Sequence, residues 1–253
     1  MKIFDHYAQY YDLLYSLKNY KDEAEYVSKL IMKFAPKTKT ILDLGCGTGS
    51  HDFHLARKNY DITGIDLSEN MITIARGKQI SEGVKNLFFS QGDITTLNLN
   101  REYDCVVSLF HVMNYLITND SMDMGFYNAV KHLKTGGIFI FDCWYGPAVL
   151  TDLPQTRIRK LENDKIKVTR FVDPVIHFND NIVDVNYEIF ITEKETSRLV
   201  IIDEKHSVRY FFKSELELLF KKLNLKMLLA EEWLTENTPG KDTFGVCFVV
   251  QKL

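Results

Sequence analysis

The apolar positions of this chain change rhythm partway along. Residues 20–34 repeat at helical spacing, with Tyr20, Ala24, Val27, Leu30, Ile31 and Phe34 on one stripe and Pro36 closing the segment. Short apolar runs follow at 40–44, 60–65, 86–90, 103–109 and 138–142. Between them, 50–57, the stretch opened by Ser68 and 126–133 suit helices. Ser68 reads as an N-cap, with Met71, Ile72 and Ala75 on one helical face. Gly136-Gly137 reads as the break before the fifth strand. Strands alternating with helices predict an α/β fold with a parallel sheet covered on both faces.

From about 155 to 210 the helical period disappears. Residues 166–172 and 182–190 alternate apolar with polar, and Asn179-Asp180-Asn181 between them is turn chemistry. Further strand-like runs at 199–202 and 206–212 complete a small antiparallel sheet inserted after the fifth strand. A helix at 214–223 follows, with Ser214 and Glu217 spaced as a capping box, and strands at 225–231 and 244–251 finish the chain.

Bulk properties narrow the class. At 253 residues the chain fits one large α/β domain with a small addition. A net charge of -3 provides no broad basic field, so nucleic acid is not an expected partner. The first residues lack a basic and apolar leader, and no apolar run approaches a membrane span, so a cytoplasmic protein with no membrane partner is expected. Cys46, Cys105, Cys143 and Cys247 are scattered without a Cys-x-x-Cys pair, which predicts reduced thiols in the core and no metal site.

The chemistry is concentrated after the first strand. That strand ends in Asp43, and Gly45-Cys46-Gly47-Thr48-Gly49 follows at once. Glycines there allow a sharp strand-to-helix turn and a close backbone approach to a ligand. The second strand leads to Asp66 and the third to Gly92-Asp93. Three carboxylates then line the sheet edge where open α/β folds bind ligands, and Asp66 is placed to accept both ribose hydroxyls of an adenosine. A dinucleotide loop would carry its third glycine one residue later, where this chain has Ser50. Asp43 would also repel a pyrophosphate. It suits an ammonium, directly or through water, or else it braces the loop. The cofactor expected here is cationic, not polyanionic, which disfavours a nicotinamide oxidoreductase.

At these residues the chain resembles the class I S-adenosylmethionine-dependent methyltransferases, whose Rossmann-like sheet carries helices on both faces. The resemblance implies S-adenosyl-L-methionine as cofactor and S-adenosyl-L-homocysteine as product. It places the methionyl part at Gly45, Gly47 and Gly49 with Asp43 and Cys46, the ribose at Asp66, and the adenine amine at Gly92 and Asp93. Leu67, Met71, Ile94 and Leu109 would supply apolar walls. The aromatic segment at 7–15, with Tyr11, and Tyr20 beyond it would close over the cofactor as a lid. Residues 1–150 then form the cofactor-binding core with its lid, 151–212 the inserted sheet on the acceptor side, and 213–253 the completion of the core.

Further segments resemble the nucleotide-sugar N,N-dimethyltransferases. Those enzymes carry Trp-Trp-Phe-Pro after the fifth strand, where this chain has Trp144-Tyr145-Gly146-Pro147. Their Gly-Arg-Gly-Leu-Phe becomes Gly240-Lys241-Asp242-Thr243-Phe244, which keeps a cation and adds an anion. The resemblance implies a small-molecule amine acceptor, with the amino group of a nucleotide-linked amino-deoxysugar as the leading case. Tyr115 falls where the sugar enzymes carry His or Tyr; it either orients the acceptor and takes its proton or packs as a helix-face aromatic. Trp144 and Tyr145 belong to the acceptor wall or to the core. His206 and Arg209 lie an odd number apart on one strand, so one of them would face the acceptor. Lys241 would meet a phosphate, while His51 and His54 read as structural. A small free amine or amino acid as acceptor, and a binding protein without turnover, stay as alternatives. A homodimer is also left open.

Overall fold

The structure, a computed structural model, describes Leu13 and residues 18–253; Tyr11 and the rest of the tyrosine cluster at 7–15 lie outside the described residues. The first described helix, α1 (Tyr20–Phe34), is capped by Asn19, whose side chain accepts the Asp22 N–H at 3.1 Å. The core continues as β1 (Thr40–Leu44), α2 (Ser50–Ala56), β2 (Asp61–Asp66), α3 (Glu69–Glu82), β3 (Leu87–Gln91) and β4 (Tyr103–Ser108). A 3-10 turn at Val112–Tyr115, α4 (Asn119–Lys131), β5 (Leu133–Trp144) and the short α5 (Gly146–Thr151) follow. The four strands β6 (Arg157–Glu162), β7 (Ile166–His177), β8 (Ile182–Glu193) and β9 (Leu199–Arg209) form a second sheet. The chain closes with α6 (Lys213–Lys222), β10 (Leu225–Glu232) and β11 (Gly245–Lys252).

The main sheet has the order β10-β11-β5-β4-β1-β2-β3. β1 to β5 are parallel, and β11 runs antiparallel to both β5 and β10. Alternate residues of the strands feed two cores. Ile41, Ile62, Val107 and Ile140 pack with Val27, Phe53 and Ile72 from α1, α2 and α3. Leu42, Val106, Phe139 and Phe141 pack on the other face with Phe126 of α4 and Leu216 and Phe220 of α6. Each such side chain, buried, stabilises by about 1.5–3 kcal/mol, which is why these strands read as continuous apolar runs. All four cysteines are buried and unpaired, and burial pushes their thiols up, so they serve as packing groups.

The second sheet is wholly antiparallel, in the order β6-β7-β8-β9. It leaves and rejoins the core at one point: the Phe211 N–H donates to Trp144 O at 2.9 Å and the Gly146 N–H to Phe211 O at 2.8 Å. Its inner face is pinned at both ends. Val168, Ile189, Ile191 and Ile202 bury Met71 at the start of α3, with Leu13 against the same cluster. Val183, Val185, Val208 and Tyr210 pack on Val149 of α5. The sheet therefore bridges the ends of β2 and β5.

Several boundaries differ from the sequence expectations. Gly136-Gly137 does not break the chain: both residues lie inside β5, where Gly136 takes φ +81° beside a register shift against β4. The runs at 199–202 and 206–212 are one strand, and β6 and α5 carried no clear pattern. The capping box of α6 starts two residues early: Phe212 is the N-cap residue, its N–H meets Glu215 Oε2 at 3.5 Å, and Ser214 sits inside the helix. The Ser68 cap is where the sequence placed it, accepting the Met71 N–H at 3.3 Å. Among the described residues no helix is long and apolar enough to cross a membrane.

Candidate active site

The parallel strands direct their C-terminal ends to one edge, and the loops there assemble the site. β1 runs into Gly45, whose N–H donates to Ile65 O at 2.7 Å, as does the Cys46 N–H at 3.0 Å. The loop is thus tied to the tip of β2. Gly45 holds φ +85°, and a Cβ on it would stand 2.4 Å from Val112 Cγ1. Gly47 holds φ +55° with open space where a Cβ would go. Its N–H donates to Asp66 Oδ2 at 2.9 Å, and the Ser68 N–H to Asp66 Oδ1 at 2.9 Å. Burial pushes the Asp66 carboxyl above its ordinary value, and the two N–H groups pull it partly back. At the third strand tip the Gly92 N–H donates to Asp66 O at 2.9 Å. Asp93 accepts Thr95 N–H and O–H at 2.8 and 2.7 Å and remains exposed.

Of the expected apolar walls, Leu67 is exposed, Ile94 is half-buried and Leu109 is buried in the core, as is Cys46 of the loop. Met71 is buried beneath the inserted sheet. Tyr20 stands edge-on to His51 at 4.9 Å between centroids, at the first turn of α2. His51 Nε2 meets Glu23 Oε2 at 2.6 Å, and Lys18 pairs with the same carboxylate. Burial raises the Glu23 carboxyl, but His51 and Lys18 outweigh it and hold it below its usual range.

Two features here were not legible in the sequence. The first is Asp52, on α2 and fully buried against Asp43. No N–H donor among the described residues reaches Asp43 Oδ1 or either Asp52 oxygen. Burial pushes Asp43 up from 3.8 to about 6, and pushes Asp52 well above its ordinary value with the Asp43 charge adding to the effect. Burial and the Asp43 charge thus both favour the protonated form of Asp52, the form that can donate to Asp43. The second is His111. It and Phe110 both hold left-handed backbones, φ 63° and 67°, a strained pair for non-glycine residues. The strain is held by Asp142 in β5, which accepts the His111 N–H at 3.2 Å and lies 2.8 Å from Nδ1. Burial raises Asp142, but the His111 contacts more than offset it and keep the carboxylate charged. This turn presses Val112 onto Gly45.

The Asp43–Asp52 pair makes stability depend on pH. Both folded-state values lie above the ordinary one, so the stability these carboxyls confer is full below about pH 4. It is lost as pH rises, through about 6 for Asp43 and beyond that for Asp52. Asp52→Asn keeps a donor toward Asp43 and removes the second ionisation. Calorimetry without cofactor is expected to give matching melting temperatures near about pH 4, with the variant a few degrees higher at about pH 9. A variant that melts lower at both would mean that Asp52 is required as an acid.

On the acceptor side, Tyr115 ends the 3-10 turn at 37% exposure, and its Oη lies 2.8 Å from His206 Nδ1. Trp144 sits edge-on to His111 and packs on Phe244, with ring centroids 4.9 Å apart. Tyr145 begins α5 and is partly buried. His206 and Arg209 diverge as an odd spacing requires. Arg209 is buried between Asn119 and Glu215 and braces α4 and α6 against β9. Lys241 is 71% exposed, with Nζ 2.8 Å from Asp242 Oδ1. The structure thus brings His206 to Tyr115 and leaves Arg209 and Lys241 engaged elsewhere. Among the described residues no cluster of His, Cys, Asp and Glu could hold a metal ion.

These residues fit a cationic adenosine cofactor. A buried Asp43 oxygen lacks an N–H donor, Gly47 leaves its surroundings open, and Asp66 is fixed at the tip of β2. Comparison with known proteins agrees. A methyltransferase-domain family model matches residues 41–137. A Streptomyces venezuelae dTDP-3-amino-3,4,6-trideoxy-alpha-D-glucopyranose N,N-dimethyltransferase is 28% identical, over 95% of this chain and 96% of its own. The crystal structure of an S-adenosylmethionine-dependent methyltransferase from Clostridium acetobutylicum superposes with a TM-score of 0.84 at 25% identity, covering 98% of both chains. That of Streptomyces venezuelae DesVI gives 0.81 at 25% identity, covering 98% of this chain and 99% of the other. The chain is an S-adenosylmethionine-dependent methyltransferase whose fold matches the class I enzymes.

Proposed function

We propose that this methyltransferase acts on an amine, and that the amine is carried by a nucleotide-linked amino-deoxysugar. The observation that carries the reading is the full-length likeness to the dTDP-amino-sugar N,N-dimethyltransferase, which extends through the inserted sheet as well as the cofactor core. The bound cofactor supplies an electrophilic methyl group on a cationic sulfur. The protein's share is placement, since in-line displacement gains most from holding the reacting atoms close and aligned. Asp43 meets the ammonium of the methionyl part, Asp66 the ribose hydroxyls and Asp93 the adenine amine. Tyr20 and α1 are anchored beside the loop by the Glu23–His51 pair. Tyr115 orients the acceptor nitrogen, with Trp144 and Tyr145 forming the wall beyond it.

A small free amine is the second reading. It is favoured by Lys241, whose charge faces Asp242 where a sugar nucleotide would need a cation for its phosphates. A methyl-transfer screen separates the two. With a dTDP-3-amino-dideoxysugar, the matching free amino sugar and glycine as acceptors, turnover is expected on the nucleotide sugar. Turnover confined to the free amines would replace this reading with the second, and silence across the panel would favour cofactor binding without transfer.

A further inference from the structure

The inserted sheet carries more than an acceptor wall. Glu204 and His206 are two apart on β9, so both project from the same, inner face. Both side chains are nearly buried, and His206 Nε2 lies 3.4 Å from Glu204 Oε2. The other ring nitrogen, Nδ1, lies 2.8 Å from Tyr115 Oη. Tyr187 of β8 stands edge-on to the imidazole at 5.1 Å, and Arg170 of β7 lies over the Tyr187 ring at 5.0 Å. The carboxylate is thus at the closed end of a line, the imidazole in the middle and the phenol at the accessible end.

We infer that Glu204 and His206 form, through Tyr115, a relay that removes the proton of the acceptor amine. This rests on the reading of Tyr115 as the residue at the acceptor nitrogen. The carboxylate at Nε2 keeps a hydrogen on that nitrogen, which leaves the Nδ1 lone pair to accept from the Tyr115 O–H. A phenol alone is a poor base for an ammonium. Here it need not keep the proton. The ammonium N–H passes its proton to Oη as the Oη proton moves to Nδ1, and the imidazolium formed lies beside the Glu204 carboxylate. The nitrogen is left with a lone pair for the methyl carbon, the charge balances, and the proton returns to solvent after turnover. Of the three, Tyr115 alone touches the substrate; His206 and Glu204 are positioning residues.

The relay matters only where the acceptor arrives protonated, and that separates it from a structural role. With dTDP-3-amino-3,6-dideoxyglucose as the probe, kcat/KM is measured from about pH 6.5 to 9 for wild type, Tyr115→Phe, His206→Gln and Glu204→Gln. Each variant is expected to lose about 10- to 100-fold at the acid end and to come within about 3-fold of wild type at the alkaline end, where the free amine predominates. Tyr115→Phe with His206→Gln is expected to be no worse than either alone. S-adenosylhomocysteine affinity, unchanged in each, controls for folding. Losses equal at every pH, or full activity of His206→Gln and Glu204→Gln, would overturn the relay while leaving Tyr115 at the acceptor. Wild-type behaviour of Tyr115→Phe at every pH would overturn the placement of Tyr115 itself. If wild type ignores the probe, the acceptor reading fails, and ring 15N shifts decide the relay. They are expected to give the neutral ring of His206 as the Nε2–H tautomer, with Nδ1 shifted by Tyr115→Phe. An Nδ1–H form, or no response to Tyr115→Phe, would refute it.

Discussion

Asp66→Ala is expected to weaken S-adenosylhomocysteine binding by about 100- to 1,000-fold, the largest loss of affinity from any single side chain in the site. Hydrogen bonds to a charged acceptor are worth about 1.5–3 kcal/mol each, and a ribose would offer two. The carboxylate is fixed before any ligand arrives, because the Gly47 and Ser68 N–H groups each hold one of its oxygens. No ordering cost is then left for binding, and removing the side chain also frees the glycine loop from β2. Asp66→Asn removes the charge but turns an NH2 toward one of the two backbone N–H donors. Because burial raises the folded-state value of Asp66, ionising it costs stability as pH rises through that value. The relief of that ionisation cost offsets the lost acceptor, so the amide should melt within a few degrees of wild type near about pH 8 without cofactor, while titration calorimetry reads about a 10-fold weaker affinity. Stability nearly kept while binding is lost would mark Asp66 as held for the ligand. If Asp66→Ala kept wild-type affinity, the ribose assignment would be lost.

What could be read from the sequence divides by the range of the interactions involved. The glycine loop, Asp66 and the Ser68 cap are set by residues within a few positions of each other, so their spacing carries the information. Asp52 looks like any acidic residue in a first helical turn; only the approach of β1 to α2 buries it against Asp43. His111 depends on Asp142, a residue from the neighbouring strand, and the left-handed backbone that the pair sustains has no glycine to announce it. Glu204 gains its meaning from two residues, His206 beside it and Tyr115 from another segment. The capping box of α6 shifted because β9 gives way at Phe211, which bridges Tyr145, and the helix must begin directly after that bridge. Lys241 shows the converse. The resemblance in sequence pointed to a phosphate contact, while its neighbour Asp242 provides the nearest anion.

Gly45→Ala is expected to lower the melting temperature by about 5–15 °C, and Gly47→Ala to lower it far less. Both glycines hold left-handed backbones, which cost an alanine about 1–2 kcal/mol. Only Gly45 is also crowded, since an added Cβ would meet both methyl groups of Val112, at 2.4 and 2.6 Å. Overpacking of that kind costs about 1–3 kcal/mol more. Val112 has little freedom to withdraw, because the preceding Phe110-His111 turn is already strained and is tied to Asp142. Val112→Ala in the same chain should therefore recover much of the loss, a coupling that thermal melts of the two singles and the double would measure. At Gly47 nothing stands within 4 Å of the added carbon, so the protein tolerates it. The space it fills is the approach to the cofactor, and S-adenosylhomocysteine affinity is where Gly47→Ala should register. Equal melting losses at the two glycines would mean that the loop is shaped by backbone strain alone. Stability lost at Gly45 and affinity lost at Gly47 would assign the first glycine to the turn that seats His111 and the second to the ligand.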